Sequence, residues 1–128
     1  MNALSMLVIA ILLCSCASRE GTGQLTLADL ASANQSNLAQ LSVGMSKKDV
    51  FSHMGNSTAK TRDGIVNNPW TVESFVGKDG AQYEVLYYIT RKNQPFTPVR
   101  KSLATEIVFK DGKVIGWGEN ALQQYKSP

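Results

Sequence analysis

Apolar residues follow three spacings along the 128-residue chain, and each predicts a different structure. From Ala3 to Leu13 they form an unbroken run of eleven residues with Ser5 as its one polar member. That length is too short to cross a bilayer as a helix and fits the apolar centre of a secretory leader. From Thr26 the spacing becomes helical: Leu27, Leu30, Ala31, Asn34, Leu38 and Leu41 recur on one face, and Thr26 with Asp29 has the interval of a capping box. A second, shorter helix is predicted over Lys47 to Met54. Ser46 caps it, Asp49 is its third residue, Met45 and Val50 flank the cap, and Gly55 stops it. So short a helix must be held by packing.

Beyond a polar connection rich in Gly and Asn the spacing alternates, which predicts strands. Trp70 to Val76 is the first, and Gly77-Lys78-Asp79-Gly80 turns it into Ala81 to Thr90. There Tyr83, Val85, Tyr87 and Ile89 face one way and Glu84, Leu86 and Tyr88 the other, so this strand is expected at the centre of the sheet, covered on both sides for part of its length. Residues 91–102 contain Pro95 and Pro98 and are not expected to pair. Leu103 to Lys110 alternates again, and Asp111-Gly112 makes a tight hairpin into Val114 to Gly118. The predicted fold class is α+β: two N-terminal helices packed on an antiparallel meander of three to four strands.

The apolar run ends in Leu13-Cys14-Ser15-Cys16. This resembles the lipobox of bacterial lipoproteins, a large aliphatic residue and two smaller ones before the Cys whose thiol takes diacylglycerol. Cys16 fits that position better than Cys14, which would set bulky Leu13 beside the cleaved bond. No Lys or Arg precedes the run, so the terminal amine supplies its positive charge. The competing reading is a buried N-terminal helix with two incidental thiols. The expected organisation is a signal peptide over 1–15, a lipidated Cys16 with a polar tether over 16–25, and one domain over 26–128, roughly a hundred residues. Several acyl chains together would anchor the protein durably, at about 0.8 kcal/mol per buried methylene. Ala17 follows Cys16, where lipoproteins kept at the inner membrane usually carry Asp, so the resemblance implies the outer membrane with the domain facing the periplasm.

Both cysteines lie in the leader segment, so a domain with an acylated Cys16 has no thiol for an internal disulfide. All 13 Lys and Arg and all 10 Asp and Glu follow Cys16, giving the mature part the whole formal +3. That excess permits attraction to anionic headgroups or an acidic partner, and lacks the dense basic stripe of a nucleic-acid binder.

The stretch Asn37-Leu38-Ala39-Gln40-Leu41-Ser42-Val43-Gly44-Met45-Ser46-Lys47-Lys48-Asp49-Val50, closed by Met54-Gly55, resembles the N-terminal signature of the SmpA/OmlA (BamE-like) lipoproteins. In those, a Gly-Met-Ser/Thr-Lys helix start precedes a Val and a helix-ending Gly. Phe109-Lys110-Asp111-Gly112-Lys113-Val114 continues the likeness downstream. The resemblance implies two helices on a three-stranded antiparallel sheet and a non-catalytic role in the outer-membrane β-barrel assembly machinery, supporting contacts between its components and with anionic phospholipid. Related small lipoproteins and the similarly folded β-lactamase-inhibitor domains share the Gly-Met-Ser start, so an inhibitor of a periplasmic hydrolase such as lysozyme or β-lactamase is the second reading.

Catalytic groupings are sparse. His53 is the one imidazole, and a metal site without thiols would have to be carboxylate-rich. No enzymatic activity, metal or cofactor is expected. Glu73 and Glu84 fall on the two strands of the first hairpin, where a glycosidase dyad is conceivable and solvated strand positions explain them more simply. Binding is the better hypothesis. Arg91, Lys92, Arg100 and Lys101 bracket Pro95, Phe96 and Pro98, a basic, Pro-stiffened loop with one aromatic that could touch headgroups or an acidic partner, or serve only as a solvated connector. Trp117, between Gly116 and Gly118, either lies flat on the core or offers a partner contact.

Overall fold

The computed structural model describes residues 24–128; the leader, Cys16 and the tether as far as residue 23 lie outside the described residues. Chain order begins at Leu25, expected in the tether, which forms a parallel bridge with Ala59. Helix α1 spans Leu27–Leu38 and α2 spans Lys47–Met54. Both start on a complete capping box, Thr26 with Asp29 and Ser46 with Asp49, so orphan amides of each first turn are satisfied by side chains already adjacent in sequence.

A small hairpin follows, β1 (Ala59–Thr61) with β2 (Gly64–Val66), in the stretch expected to be an irregular connection. Then come β3 (Thr71–Val76), β4 (Gln82–Ile89), β5 (Ala104–Lys110) and β6 (Lys113–Trp117), a four-stranded antiparallel meander in the order β3-β4-β5-β6. Asp111 and Gly112 both take positive φ, 51° and 73°, as the two-residue turn between β5 and β6 requires. A third helix, α3 (Glu119–Tyr125), closes the chain and was not foreseen.

Strand β4 is central, and its alternation decides the layering. Tyr83, Val85, Tyr87 and Ile89 join one buried cluster with Leu27, Leu30 and Ala31 of α1 and Leu122 of α3. Leu86 and Tyr88 join a second with Val50 and Met54 of α2. The sheet is thus covered on both faces. Helix α1 serves both clusters, since its last residue Leu38 packs on the second. On the α3 face Phe75, Tyr83 and Tyr125 stack in series with ring centroids 5.2 Å apart at each step. That stack holds a seven-residue helix whose own N-cap makes no side-chain bond.

Asn34 is fully buried on the apolar stripe of α1. It exchanges amide hydrogen bonds with Asn68: Nδ2 of Asn34 donates to Oδ1 of Asn68 at 2.8 Å, and Nδ2 of Asn68 donates back to Oδ1 of Asn34 at 2.9 Å. Asn34 also donates to the Ile89 carbonyl at 2.8 Å, and Asn68 to the Met54 carbonyl at 3.1 Å. One polar pair therefore ties α1, the end of α2, the start of β3 and the end of β4.

Candidate functional site

An apolar groove of about 520 Å³ lies between the start of α1, the tip of the β1–β2 hairpin and residues 92–99. Thr26, Leu27 and Ala28 form one wall, residues 60–63 a second, and the Pro95-Phe96-Thr97 bend with Val99 a third. The bend is held from within: Thr97 Oγ1 donates to the Gln94 carbonyl at 2.6 Å, and Asn93 Nδ2 donates to the Thr97 carbonyl at 2.8 Å. Phe96 sits in the left-handed backbone region at φ 64° and is 86% exposed. A bulky residue is uncommon in that conformation, so the surrounding bonds impose it.

Lys60, Arg62 and Lys92 rim this groove, with Asp63 the one acid among its lining residues. Arg62 and Asp63 pair with each other at 3.1 Å at an exposed site where such a pair adds little stability. The groove adjoins the first of the described residues. Leu25 N–H donates to the Thr58 carbonyl at 3.3 Å, and Lys60 N–H donates to the Leu25 carbonyl at 3.1 Å, so the segment leading from Cys16 meets the domain next to it.

The residues singled out in the sequence separate in space. Lys92 and Phe96 line the groove. Arg91 turns away to donate from Nη1 to the Ser102 carbonyl at 3.1 Å, and Arg100 is exposed beyond the groove lining. Lys101 is committed elsewhere: it ion-pairs with Glu73 and lies 5.1 Å from the centre of the Tyr87 ring. The Lys101 ammonium, and after it the Tyr87 hydroxyl, hold the Glu73 carboxyl below the usual range, while burial and then the bond to Glu73 push the Tyr87 hydroxyl up. Trp117 lies opposite Ile107 at the end of β6 and is 37% exposed, neither core nor part of the groove. Lys60 and Arg62 were missed. Their strand signal is three residues long, and their nearness to Lys92 arises only from the tertiary fold.

The register separates Glu73 from Glu84. Glu73 is opposite Val85 and Glu84 opposite Ser74, which puts the two carboxylates on opposite faces of the sheet. Glu84 ion-pairs with Lys47 on the α2 face. A second charged cluster fastens the β3–β4 turn: Asp79 accepts from the Tyr83 hydroxyl at 2.7 Å, from Lys110 at 2.9 Å and from the Ala81 N–H at 3.0 Å. These bonds, the one from Tyr83 largest, lower the Asp79 carboxyl to about 2. His53 is exposed in the last turn of α2. Among the described residues no group of three or more His, Cys, Asp or Glu is placed to share a metal ion, and no helix is long and apolar enough to cross a membrane.

A protein-family model described as protein of unknown function (DUF3192) matches residues 14–124. No curated protein and no solved structure matches the chain significantly.

Proposed function

The chain belongs to the DUF3192 family, with Cys16 and the folded domain inside one continuous match, and on that premise we propose that it is a lipid-anchored, non-enzymatic accessory protein of the bacterial envelope. Its work is in outer-membrane protein assembly or envelope maintenance, on the periplasmic side of the outer membrane. The observation that carries this reading is the pairing of two features. A leader-like apolar run ends in Leu13-Cys14-Ser15-Cys16, and the segment after it joins the domain beside a groove rimmed by Lys60, Arg62 and Lys92 and tipped by exposed Phe96. Basic side chains near an anionic surface contribute about 1 kcal/mol each, and a buried Phe about 2 kcal/mol. A short tether that returns this end of the domain to the headgroups or to a neighbouring envelope protein makes use of both.

The anchor is tested by mass spectrometry of the mature N-terminus: a diacylglyceryl adduct on Cys16 is expected, absent from Cys16→Ser, and an unchanged mass overturns the assignment. The groove is tested with vesicles containing phosphatidylglycerol and by co-purification from detergent extracts. Arg62→Glu with Phe96→Ala is expected to weaken vesicle binding about tenfold or more, and to reduce recovery of β-barrel assembly components. Unaltered binding and recovery would remove the groove from the proposal. A soluble hydrolase as the dominant captured protein would favour the inhibitor reading.

A further inference from the structure

The two edges of the four-stranded sheet are treated differently. The β6 edge is covered by the segment before α2: Gly44 N–H donates to the Val114 carbonyl at 2.8 Å, Val114 N–H to the Met45 carbonyl at 2.9 Å, and Lys47 N–H to the Gly112 carbonyl at 3.3 Å. The β3 edge has no such cover. Its neighbour is β4 alone, and Gly77 N–H donating to the Ala81 carbonyl at 2.8 Å shows which of its residues face that neighbour. Gly77 and Ala81 continue the β3–β4 register by one step, so the odd-numbered residues of β3 bond to β4 and the even-numbered ones, Val72, Ser74 and Val76, direct their N–H and C=O groups outward. Among the described residues no backbone or side-chain hydrogen bond reaches those groups outside the β3–β4 ladder.

Apart from the charge of Glu73, the usual defences of an edge are missing as well. Thr71–Val76 contains no Pro and no Lys, its pairing with β4 shows no register shift, and Val72 and Val76 are 49% and 65% exposed on the face that α2 leaves open.

We propose that β3 pairs antiparallel with β3 of a second copy, joining two four-stranded sheets into one across a two-fold axis at Ser74. The even residues must form the hydrogen-bonded pairs, which restricts the registers. Centred on Glu73, two carboxylates would stand opposite each other. Centred on Ser74, Val72 of one copy meets Val76 of the other on the open face, twice, Ser74 meets Ser74, and Glu73 meets Phe75. The pairing stops short of Trp70 and Lys78, whose N–H groups donate to the Tyr87 carbonyl at 2.8 Å and the Tyr125 carbonyl at 3.1 Å, and within it no like charges stand directly opposite each other. Such a pair of six-residue strands buries less than the about 1,200 Å² of an ordinary stable interface. The dimer is therefore weak, forms at high local concentration, and calls for a trapping assay. It does not depend on the anchor or on the groove.

The test is single-cysteine oxidation in the full-length protein in mild detergent, with peptide mapping to separate the new thiol from Cys14 and Cys16. Residues facing each other across a hydrogen-bonded antiparallel pair have Cα atoms about 5.5 Å apart, within disulfide reach. Ser74→Cys should give a 74-to-74 link on the order of tenfold above the self-links of Val72→Cys and Glu73→Cys, whereas mixing Val72→Cys with Val76→Cys should restore linkage. Ser74→Pro in the protein carrying Val72→Cys and Val76→Cys should abolish the link while leaving the circular dichroism spectrum intact, because the N–H it removes points away from β4. A dominant 73-to-73 link, equal yields at all positions, a 74 link to a different protein, or linkage that survives Ser74→Pro would each overturn the proposal.

Discussion

Replacing Asn34 with Ala should destabilise the domain by about 3 kcal/mol. The substitution removes the amide that donates to Asn68 Oδ1 and to the Ile89 carbonyl, both at 2.8 Å, and that accepts from Asn68 Nδ2 at 2.9 Å. Asn68 keeps its 3.1 Å bond to the Met54 carbonyl, so it loses an acceptor's partner and one donor's partner, and Ile89 loses an acceptor's partner. A buried polar group left unpaired costs about 1–3 kcal/mol. Asn68 is 8% exposed and can recover part of its loss to water, which brings the three groups to the lower end of their sum. Against a typical total of about 5–15 kcal/mol this is a large share, and at about 4–8 °C per kcal/mol the midpoint should fall by more than about 10 °C. Urea unfolding followed by circular dichroism and by tryptophan fluorescence, with Trp70 two residues from Asn68, measures it; the midpoint should drop with the slope unchanged. Asn68→Ala should cost a similar amount, and the double variant should cost at least about 1 kcal/mol less than the sum. An Asn34→Ala protein within about 0.5 kcal/mol of the parent, or strict additivity in the double, would refute the pair as a fastening point.

Three further outcomes follow from the packing. Asp79 has its carboxyl lowered to about 2, so its contribution is complete above the unfolded value near 3.8 and is lost as pH falls through 2; the stability difference between the parent and Asp79→Asn should shrink over that interval in acid titrations of the unfolding midpoint. A Cβ at Gly77 would overlap the Tyr83 ring, and Gly77→Ala should cost about 1–3 kcal/mol in denaturant and weaken the protection of α3 against hydrogen exchange, since Tyr83 carries Tyr125. The Tyr88 hydroxyl is buried with no partner among the described residues, and Tyr88→Phe should leave stability unchanged or raise it by up to about 1 kcal/mol; a loss beyond that in the same denaturant assay would contradict this.

Local chemistry made the elements around the caps and turns readable. Ser46, Asp49 and Gly55 bound α2 at its observed residues, Thr26 with Asp29 starts α1 where expected, and Asp111-Gly112 forms the tight turn. The alternation in β4 announced a strand buried on both faces. What was not readable depends on contacts distant in sequence. Helix α3 has neither a side-chain cap nor length, and it is held by Leu122 in the buried cluster and by Tyr125 stacked on Tyr83. The β1–β2 hairpin is too short for any period to register, and so the basic residues that meet Lys92 and Phe96 went unnoticed. The spacing placed Asn34 on the inner face of α1, but its partner Asn68 lies 34 residues away and could not be read from that spacing.

The bridge between Leu25 and Ala59 also fixes a length. It is the first tie to the domain among the described residues, and only nine peptide steps separate Leu25 from Cys16, the proposed anchor. At about 3.3–3.6 Å per residue, a leash of that size reaches roughly 30 Å at full stretch. A domain on so short a leash, once anchored, searches a thin shell above the membrane, where a partner floating in the same sheet is met as if at high concentration. Inserting ten residues before Leu25 would enlarge that shell and dilute every such encounter without touching the fold.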